Sequence, residues 1–219
     1  MTRKLTSLRK GVALGHAKSM VVFVHGYGAD GADLLGLADP LGPHLPGTVF
    51  YSPDAPEPCN GAPMGRQWFP IPWLDGSSEE VARHGLRSAS DDLNGFLDEK
   101  LAEEGLGPEA LALVGFSQGA MICLHVAPRR PVAIAGVVAI SGRLLEPELL
   151  SEAVAKPPVL LIHGDQDPVV PFADMGLAGN ALLAAGFETY GHVMKGTGHG
   201  IAPDGLSVAL SFLAERLPK

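Results

Sequence analysis

The sequence has little cysteine and no hydrophobic run long enough to cross a membrane. Its two cysteines, Cys59 and Cys123, lie far apart in a chain of 219 residues, without a C-x-x-C motif or a Cys/His cluster. This pattern excludes a disulfide framework and does not indicate a zinc site. The longest apolar run, at 132–140, is much shorter than the roughly 20 residues of a membrane-spanning helix.

Positive charge is also scarce, because 16 Lys and Arg residues stand against 24 Asp and Glu residues, for a net charge of −8. An acidic chain is not attracted to phosphate backbones or to anionic membranes, so we expect no nucleic-acid partner and no stable membrane insertion. The basic residues 1–10 are not followed by the apolar stretch of a signal peptide. We therefore expect a cytoplasmic protein whose first ten residues are a solvated tail.

The pattern of apolar residues predicts a doubly wound, mostly parallel sheet with helices on both faces. Short apolar runs without polar alternation are typical of strands that are buried on both sides. Strands that alternate with helical segments favour this α/β architecture, and the length fits one domain. Strands are predicted at 20–24, 48–51, 111–114, 132–140, 159–162 and 188–194, and helices at 32–37, 77–101, 118–127, 173–185 and 204–217.

Segment 52–76 is a long loop that is rich in proline and glycine but also carries large apolar side chains. A loop of this length inside a compact domain is more often functional than idle. Its apolar residues either line an acyl or aryl site or form the core under the loop, and the sequence leaves both open. These residues are Trp68, Phe69, Ile71, Trp73 and Leu74.

The most informative motif is GFSQG at 115–119, which lies between a predicted strand and a predicted helix. A strand that turns sharply into a helix at Ser117 exposes the serine hydroxyl at the edge of the sheet, and the tight turn needs flanking glycines. A serine hydroxyl is a weak nucleophile unless a base activates it and an acid orients that base. Ser117 is therefore a candidate nucleophile that requires both partners.

An acid and a base follow Ser117 in the chain order that hydrolases of this architecture use. Asp167 lies in the loop after the strand at 159–162, and His199 lies in a glycine-rich loop after the strand at 188–194. Because such groups gather at the carboxyl ends of strands, we predict that Asp167 orients His199 and that His199 is the base. Asp165 in the same loop has the position of a turn residue.

Backbone amides are predicted to stabilise the negative charge that develops on a substrate oxygen. One is the N–H of Gln118, the residue after the nucleophile. The other is the N–H of Tyr27, in the glycine-rich loop at 25–31 that follows the first core strand. We interpret His25, at the start of that loop, as a packing or hydrogen-bonding residue.

Taken together, the motifs make the chain similar to the phospholipase/carboxylesterase family of α/β hydrolases, which includes bacterial carboxylesterases and eukaryotic acyl-protein thioesterases. The resemblance implies a single-domain α/β-hydrolase fold without a cap domain, and it implies Ser117, Asp167 and His199 as the triad with Tyr27 and Gln118 as N–H donors. It runs from about Met20 to the C-terminus, so we expect an N-terminal segment at 1–18 and a catalytic domain at 19–219. The motifs are VVFVHGYGADG at 21–31, GFSQGA at 115–120, HGDQDPVVP at 163–171 and GHG at 198–200.

The same resemblance implies that Met64, Gln67, Trp68 and Phe69 lie by the acyl pocket. Thioesterase relatives have a Ser-Trp-Phe run there, whereas this chain has Gln67-Trp68-Phe69. No metal or organic cofactor is implied, and because relatives include dimers, a homodimer is an expectation.

The resulting hypothesis is a serine carboxylesterase that hydrolyses short- to medium-chain or aryl esters as small-molecule substrates through an acyl-enzyme on Ser117. One alternative is an acyl-protein thioesterase or lysophospholipase with the same triad, because the oxyanion chemistry is shared. Another is a non-catalytic small-molecule receptor with a hydrolase fold, although such receptors usually lose a triad member.

Overall fold

A seven-stranded sheet forms the centre of the computed structural model, which describes residues 2–59 and 62–219. The strand order is β1-β3-β2-β6-β7-β8-β9, in which β1 runs antiparallel to β3 and every other neighbouring pair is parallel. Strands β4 and β5 form a separate hairpin. The strands are β1 Ser7–Gly11, β2 Ser19–Val24, β3 Thr48–Pro53, β4 Glu57–Cys59, β5 Ala62–Gln67, β6 Leu111–Phe116, β7 Gly136–Ile140, β8 Val159–Gly164 and β9 Thr189–Met194.

Helices cover both faces of the sheet and divide the core into two layers. Alternate residues of β2 point into different layers: Met20 packs in the layer under α4, α5 and α6, and Phe23 packs in the layer under α1, α2 and α7. Within the described residues, no helix combines the length and apolar character that crossing a membrane requires. The helices are α1 Gly31–Leu35, α2 Ala38–Leu41, α3 Pro72–Asp75, α4 Glu79–Glu104, α5 Gln118–Val126, α6 Ala173–Ala184 and α7 Pro203–Arg216, and short 3-10 turns lie at Gly42–His44, Pro108–Ala110, Ala127–Arg129 and Pro147–Glu152.

The predicted doubly wound architecture is confirmed, and each predicted strand and helix is present with shifted ends. The largest shift is in the run 132–140, of which only Gly136–Ile140 forms a strand, since Val132 is still exposed on the approach to the sheet. Helix α4 begins after Ser78, whose hydroxyl accepts from the Val81 amide at 3.2 Å. Gly85 inside this helix is explained by packing, because a Cβ there would lie 2.7 Å from Pro70 Cδ.

The prediction of a solvated N-terminal tail is wrong. Strand β1 pairs with β3 at the edge of the main sheet. Its Arg9 donates to the buried carboxylate of Glu104 at 2.7 Å, and Arg3 just before it contacts the buried carboxylate of Asp92 at 2.7 Å. The basic residues therefore serve as partners for buried acids in α4, about 90 positions away, and no local pattern reveals such pairing.

The described parts of segment 52–76, residues 52–59 and 62–76, contain more secondary structure than the single loop that we predicted. They contain the hairpin β4–β5 and the short helix α3, which ends at Gly76 with a φ of 74°. The hairpin lies against the loop after β2, where Gly28 N–H donates to Arg66 O at 2.9 Å and Arg66 N–H donates to Ala29 O at 2.8 Å. Strand β5 thus holds the loop that carries Tyr27.

Candidate active site

Ser117 lies at the sharp turn between β6 and α5. Its φ of 54° and ψ of −116° are a strained combination for a residue with a side chain. The turn is possible because its flanking glycines make very close contacts: a Cβ on Gly119 would lie 1.8 Å from Val24 O, and one on Gly115 would lie 2.4 Å from Gly119 O. The start of α5 is therefore pressed against the end of β2, and the Ser117 hydroxyl is held at the edge of the sheet.

The structure brings the three residues of the predicted triad into one hydrogen-bonded chain. His199 Nε2 lies 3.0 Å from Ser117 Oγ, and His199 Nδ1 lies 2.7 Å from Asp167 Oδ2. Because a carboxylate can only accept, the imidazole proton is assigned to Nδ1, and Nε2 is then free to accept the serine proton. This is the geometry that general-base activation of a serine requires.

The carboxylate of Asp167 is buried and held from several directions. Its Oδ1 accepts from the amides of Val169 at 2.8 Å and Val170 at 2.9 Å, while Oδ2 accepts from His199. Burial alone raises the pKa of Asp167, but the hydrogen bonds from His199 and from the two amides outweigh it, so the pKa lies below its ordinary value. Asp167 is therefore an anion that stabilises a protonated His199.

Other acids and histidines near these loops have different partners. Asp165 accepts from Gly196 N–H at 2.7 Å and thereby connects the two loops that carry Asp167 and His199. His125 is buried in α5, where desolvation lowers its pKa to about 4, and His192 pairs with Asp204 at the surface. None of these side chains has a hydrogen bond to Ser117 within the described residues.

The Tyr27 amide lies on the loop after β2, and the Gln118 amide belongs to the first residue of α5, directly after Ser117. The loop after β2 approaches the serine so closely that a Cβ on Gly26 would lie 3.2 Å from Ser117 Cβ. Neither amide donates a hydrogen bond to another residue in the described ranges. An N–H group without a protein acceptor can donate to an anion, so the prediction that these two amides contact an oxyanion stays open to test.

A set of buried hydrogen bonds, which the sequence did not reveal, connects the start of α5 to the loop after β2. The Gln118 side chain accepts from Trp68 N–H at 2.9 Å and donates to Phe69 O at 2.7 Å. The Trp68 indole N–H donates to His25 O at 2.9 Å. We call Gln118, Trp68 and His25 the oxyanion clamp, because it joins the residue after the nucleophile to the loop that carries Tyr27.

His25 has the packing role that its sequence position indicated. Its Nε2 accepts from Ala55 N–H at 3.0 Å, so the proton is on Nδ1, which lies 2.8 Å from Gly26 O. Burial lowers the pKa of His25 and keeps the ring neutral. Its ring therefore supports the loop and does not act as a base.

The structure separates the four residues that were expected beside the acyl pocket. Met64 is 89% exposed on the hairpin, whereas Gln67 is buried and reaches towards Glu57. Trp68 is 0% exposed, so the prediction that it contacts substrate is wrong. Its indole lies in the core and belongs to the oxyanion clamp. Phe69 alone of the four lines a cleft.

That cleft has a volume of about 170 Å³ and a mostly apolar lining that also includes charged side chains. Trp73, at its border, is half exposed and also borders a second cleft formed by Val169 and Val170, which follow Asp167. The Arg143 guanidinium lies 4.9 Å from the centre of the Trp73 ring and donates to Asp174 at 2.7 Å. The cleft beside Phe69 is lined chiefly by Phe69, Ile71, Trp73, Leu86 and Leu145, and its charged lining residues include Glu79 and Arg83.

Comparisons with known proteins agree with this geometry. Residues 13–217 match the model of the family described as Phospholipase/Carboxylesterase. The chain is 30% identical to acyl-protein thioesterase 1 of Saccharomyces cerevisiae, over 97% of this chain and 99% of the relative, and 28% identical to the esterase YpfH of Escherichia coli, over 93% and 85%. The crystal structure of esterase PE8 superimposes with a TM-score of 0.92 at 42% identity, over 98% of this chain and 100% of that one.

Proposed function

Because the chain belongs to the phospholipase/carboxylesterase family and has the α/β-hydrolase fold, we propose that it is a serine carboxylesterase. The observation that carries the proposal is the unbroken hydrogen-bonded chain from Ser117 Oγ through His199 to Asp167. Family membership supports an esterase- or thioesterase-type hydrolase, and the chain of three residues supports the serine mechanism.

In the first half of the proposed reaction, Ser117 Oγ attacks the ester carbonyl while His199 Nε2 takes the hydroxyl proton. The carbonyl oxygen becomes an oxyanion that the amides of Tyr27 and Gln118 stabilise. His199 then gives its proton to the departing alkoxide, and the C–O bond to the alcohol breaks. An acyl-enzyme on Ser117 and a free alcohol remain.

Water completes the cycle by the same steps. His199 takes a proton from water, the hydroxide adds to the acyl carbon, and the second oxyanion occupies the same two amides. Collapse of this intermediate returns the proton to Ser117 Oγ and releases the carboxylic acid. Asp167 remains ionised throughout, because its depressed pKa keeps it an anion beside the imidazolium.

For the substrate, we propose an ester with a short- to medium-chain or aryl group. The apolar cleft lined by Phe69 and Ile71 supports this choice, as does the half-exposed ring of Trp73, which lines both this cleft and the one beside Val169 and Val170. An apolar group that leaves water for such a lining gains about 25 cal/mol for each Å² that it buries. Chain length should therefore affect kcat/KM until the cleft is full.

A second candidate is hydrolysis of thioesters. It is favoured by the similarity to a yeast protein named acyl-protein thioesterase 1. The two reactions share the nucleophile and the oxyanion, so matched oxygen esters and thioesters of one acyl chain must be compared in the same assay. A higher kcat/KM for the thioester across the series would replace the primary proposal.

The direct test is hydrolysis of p-nitrophenyl esters from acetate to octanoate by the wild type and by Ser117→Ala. The proposal predicts turnover by the wild type and a loss of about a million-fold in the variant, as for other serine hydrolases that lose the nucleophile. Ser207→Ala, on the exposed face of α7, is the matched control and should keep full activity. Full activity in folded Ser117→Ala would overturn the proposal.

A further inference from the structure

His163 is a second histidine that faces Asp167, and the proposed reaction does not use it. It lies in β8, one residue before the strand ends, and its side chain is almost completely buried. His163 Nε2 lies 3.0 Å from Val170 O and 3.4 Å from Asp167 Oδ2. That carboxylate oxygen is the same one that accepts from His199.

The partners of His163 determine where its proton lies. The Val170 carbonyl can only accept a hydrogen bond, so Nε2 carries the proton and donates it to Val170 O. At 3.4 Å, Asp167 Oδ2 is beyond a well-formed hydrogen bond but within the range of strong attraction to the same N–H dipole. The Nε2–H group of His163 therefore binds the loop backbone and directs its partial positive charge towards the Asp167 carboxylate.

The contact with Val170 matters because Val170 itself holds the acid. Its N–H donates to Asp167 Oδ1 at 2.9 Å, while its carbonyl is held by His163. The peptide units of Val170 thus connect the buried imidazole to one carboxylate oxygen, and the imidazole faces the other oxygen directly. His199 approaches Oδ2 from the edge of the sheet, whereas His163 belongs to strand β8.

We propose that His163 is a positioning residue that fixes the carboxylate of Asp167 in the orientation that His199 needs. The inference depends on the proposed function, since it assigns His163 a part in activating Ser117. A purely structural alternative is that His163 fills a core position beside Phe172. The two ring centres lie 6.1 Å apart, and the rings pack edge to face. The two interpretations differ in whether the effect of His163 passes through Asp167.

The variants that separate them are His163→Gln, His163→Asn and His163→Leu. A glutamine can place an N–H where Nε2 now lies, an asparagine places its amide nearer the position of Nδ1, and leucine fills the space without a donor. The readout is the second-order rate constant for covalent labelling of Ser117 by a small p-nitrophenyl phosphonate. Labelling depends on activation of the serine and not on the natural substrate.

We expect labelling to slow about 10- to 100-fold in His163→Leu and His163→Asn, the loss associated with one hydrogen bond in a charged network. His163→Gln should keep its rate within about threefold of the wild type. In an Asp167→Asn background, the three substitutions should have no further effect, because a positioning residue acts only through the group that it positions.

Equal slowing in His163→Gln and His163→Leu, or the same slowing with Asp167→Asn present, would overturn the inference. If His163→Leu does not fold, the comparison of His163→Gln with His163→Asn decides, because both are polar and differ in where the amide lies. The proposed function fails separately: in that case the wild type is not labelled, or Ser117→Ala is labelled at the same rate.

Discussion

The loops that carry Asp167 and His199 differ in construction from the loop at 25–31, which carries the proposed oxyanion donor Tyr27 and which we call the oxyanion loop. Each of the first two follows its strand directly, and Asp165 ties one to the other through Gly196. The oxyanion loop instead depends on segment 52–76, whose hairpin and Trp68 reach it through long-range hydrogen bonds. The acid–base half of the site is thus built at the ends of the neighbouring strands β8 and β9, and the oxyanion half also depends on a segment outside the main sheet.

This difference determines the kind of substitution to which each half is sensitive. In the acid–base half, a change in one charged atom removes the orientation or charge that proton transfer needs. In the oxyanion half, the proposed donors are backbone amides, which every residue except proline supplies, so other substitutions act on them only by loosening the clamp that positions them. We therefore expect the largest losses of rate on the acid–base side.

The largest expected effect is that of Asp167→Asn. The amide can offer its N–H to His199 and favour the wrong imidazole tautomer, and it lacks the charge that stabilises the imidazolium. We expect kcat to fall about 10⁴-fold with little change in KM. The measurement is steady-state hydrolysis of p-nitrophenyl acetate, with Asp165→Asn, two residues away in the same loop, as the matched control. A comparable loss in the control alone would assign the orienting role to Asp165.

The same substitution has a predicted effect on the pH dependence of stability. The folded state depresses the pKa of Asp167, so its contribution to stability is present above the unfolded value of about 3.9 and is lost as the pH falls through the folded pKa. Asp167→Asn should therefore lose less stability than the wild type when the pH is lowered from about 5 to about 3. Urea unfolding at each pH measures this, and parallel curves for the two proteins would contradict the assignment.

A smaller effect is expected from Trp68→Phe, which keeps an aromatic ring but removes the N–H that holds His25 O. Loss of one neutral hydrogen bond corresponds to about 2- to 10-fold, so kcat should fall by that factor while KM and the pH profile stay unchanged. Trp73→Phe, at the half-exposed indole, is the control. If Trp68→Phe lowers only the free energy of unfolding and leaves kcat unchanged, the clamp is structural and does not set the oxyanion geometry.

The fold and the acid–base half were predictable from the sequence for the same physical reason. Buried parallel strands have continuous apolar runs, and loops such as the one at 163–171 keep their functional residues within a few positions of a strand end. The pairing of strand β1 and the buried position of Trp68 were not predictable. The local sequence does not show which distant carboxylate or carbonyl a side chain contacts. An apolar residue in a loop has the same appearance in a sequence whether it faces a cleft or the core.

An effect of about the same size as that of Trp68→Phe, but one that depends on the substrate, is expected from Trp73→Ala. If the acyl or aryl group packs on the indole that lines the cleft beside Phe69, removal of the indole should lower kcat/KM about 3- to 10-fold for octanoate and less for acetate. Leu74→Ala is the control, an exposed neighbour that does not line the cleft. Equal losses for both esters would show that the substrate chain does not reach Trp73.

The measurement that tests the account most directly is the location of a covalent phosphonate adduct by mass spectrometry of the digested protein. We predict one adduct per chain, on the peptide that contains Ser117, and about a thousand-fold or greater slowing of its formation in Asp167→Asn. Folded wild-type protein that forms no adduct, or that forms one on another residue, would contradict the assignment of Ser117 as the nucleophile.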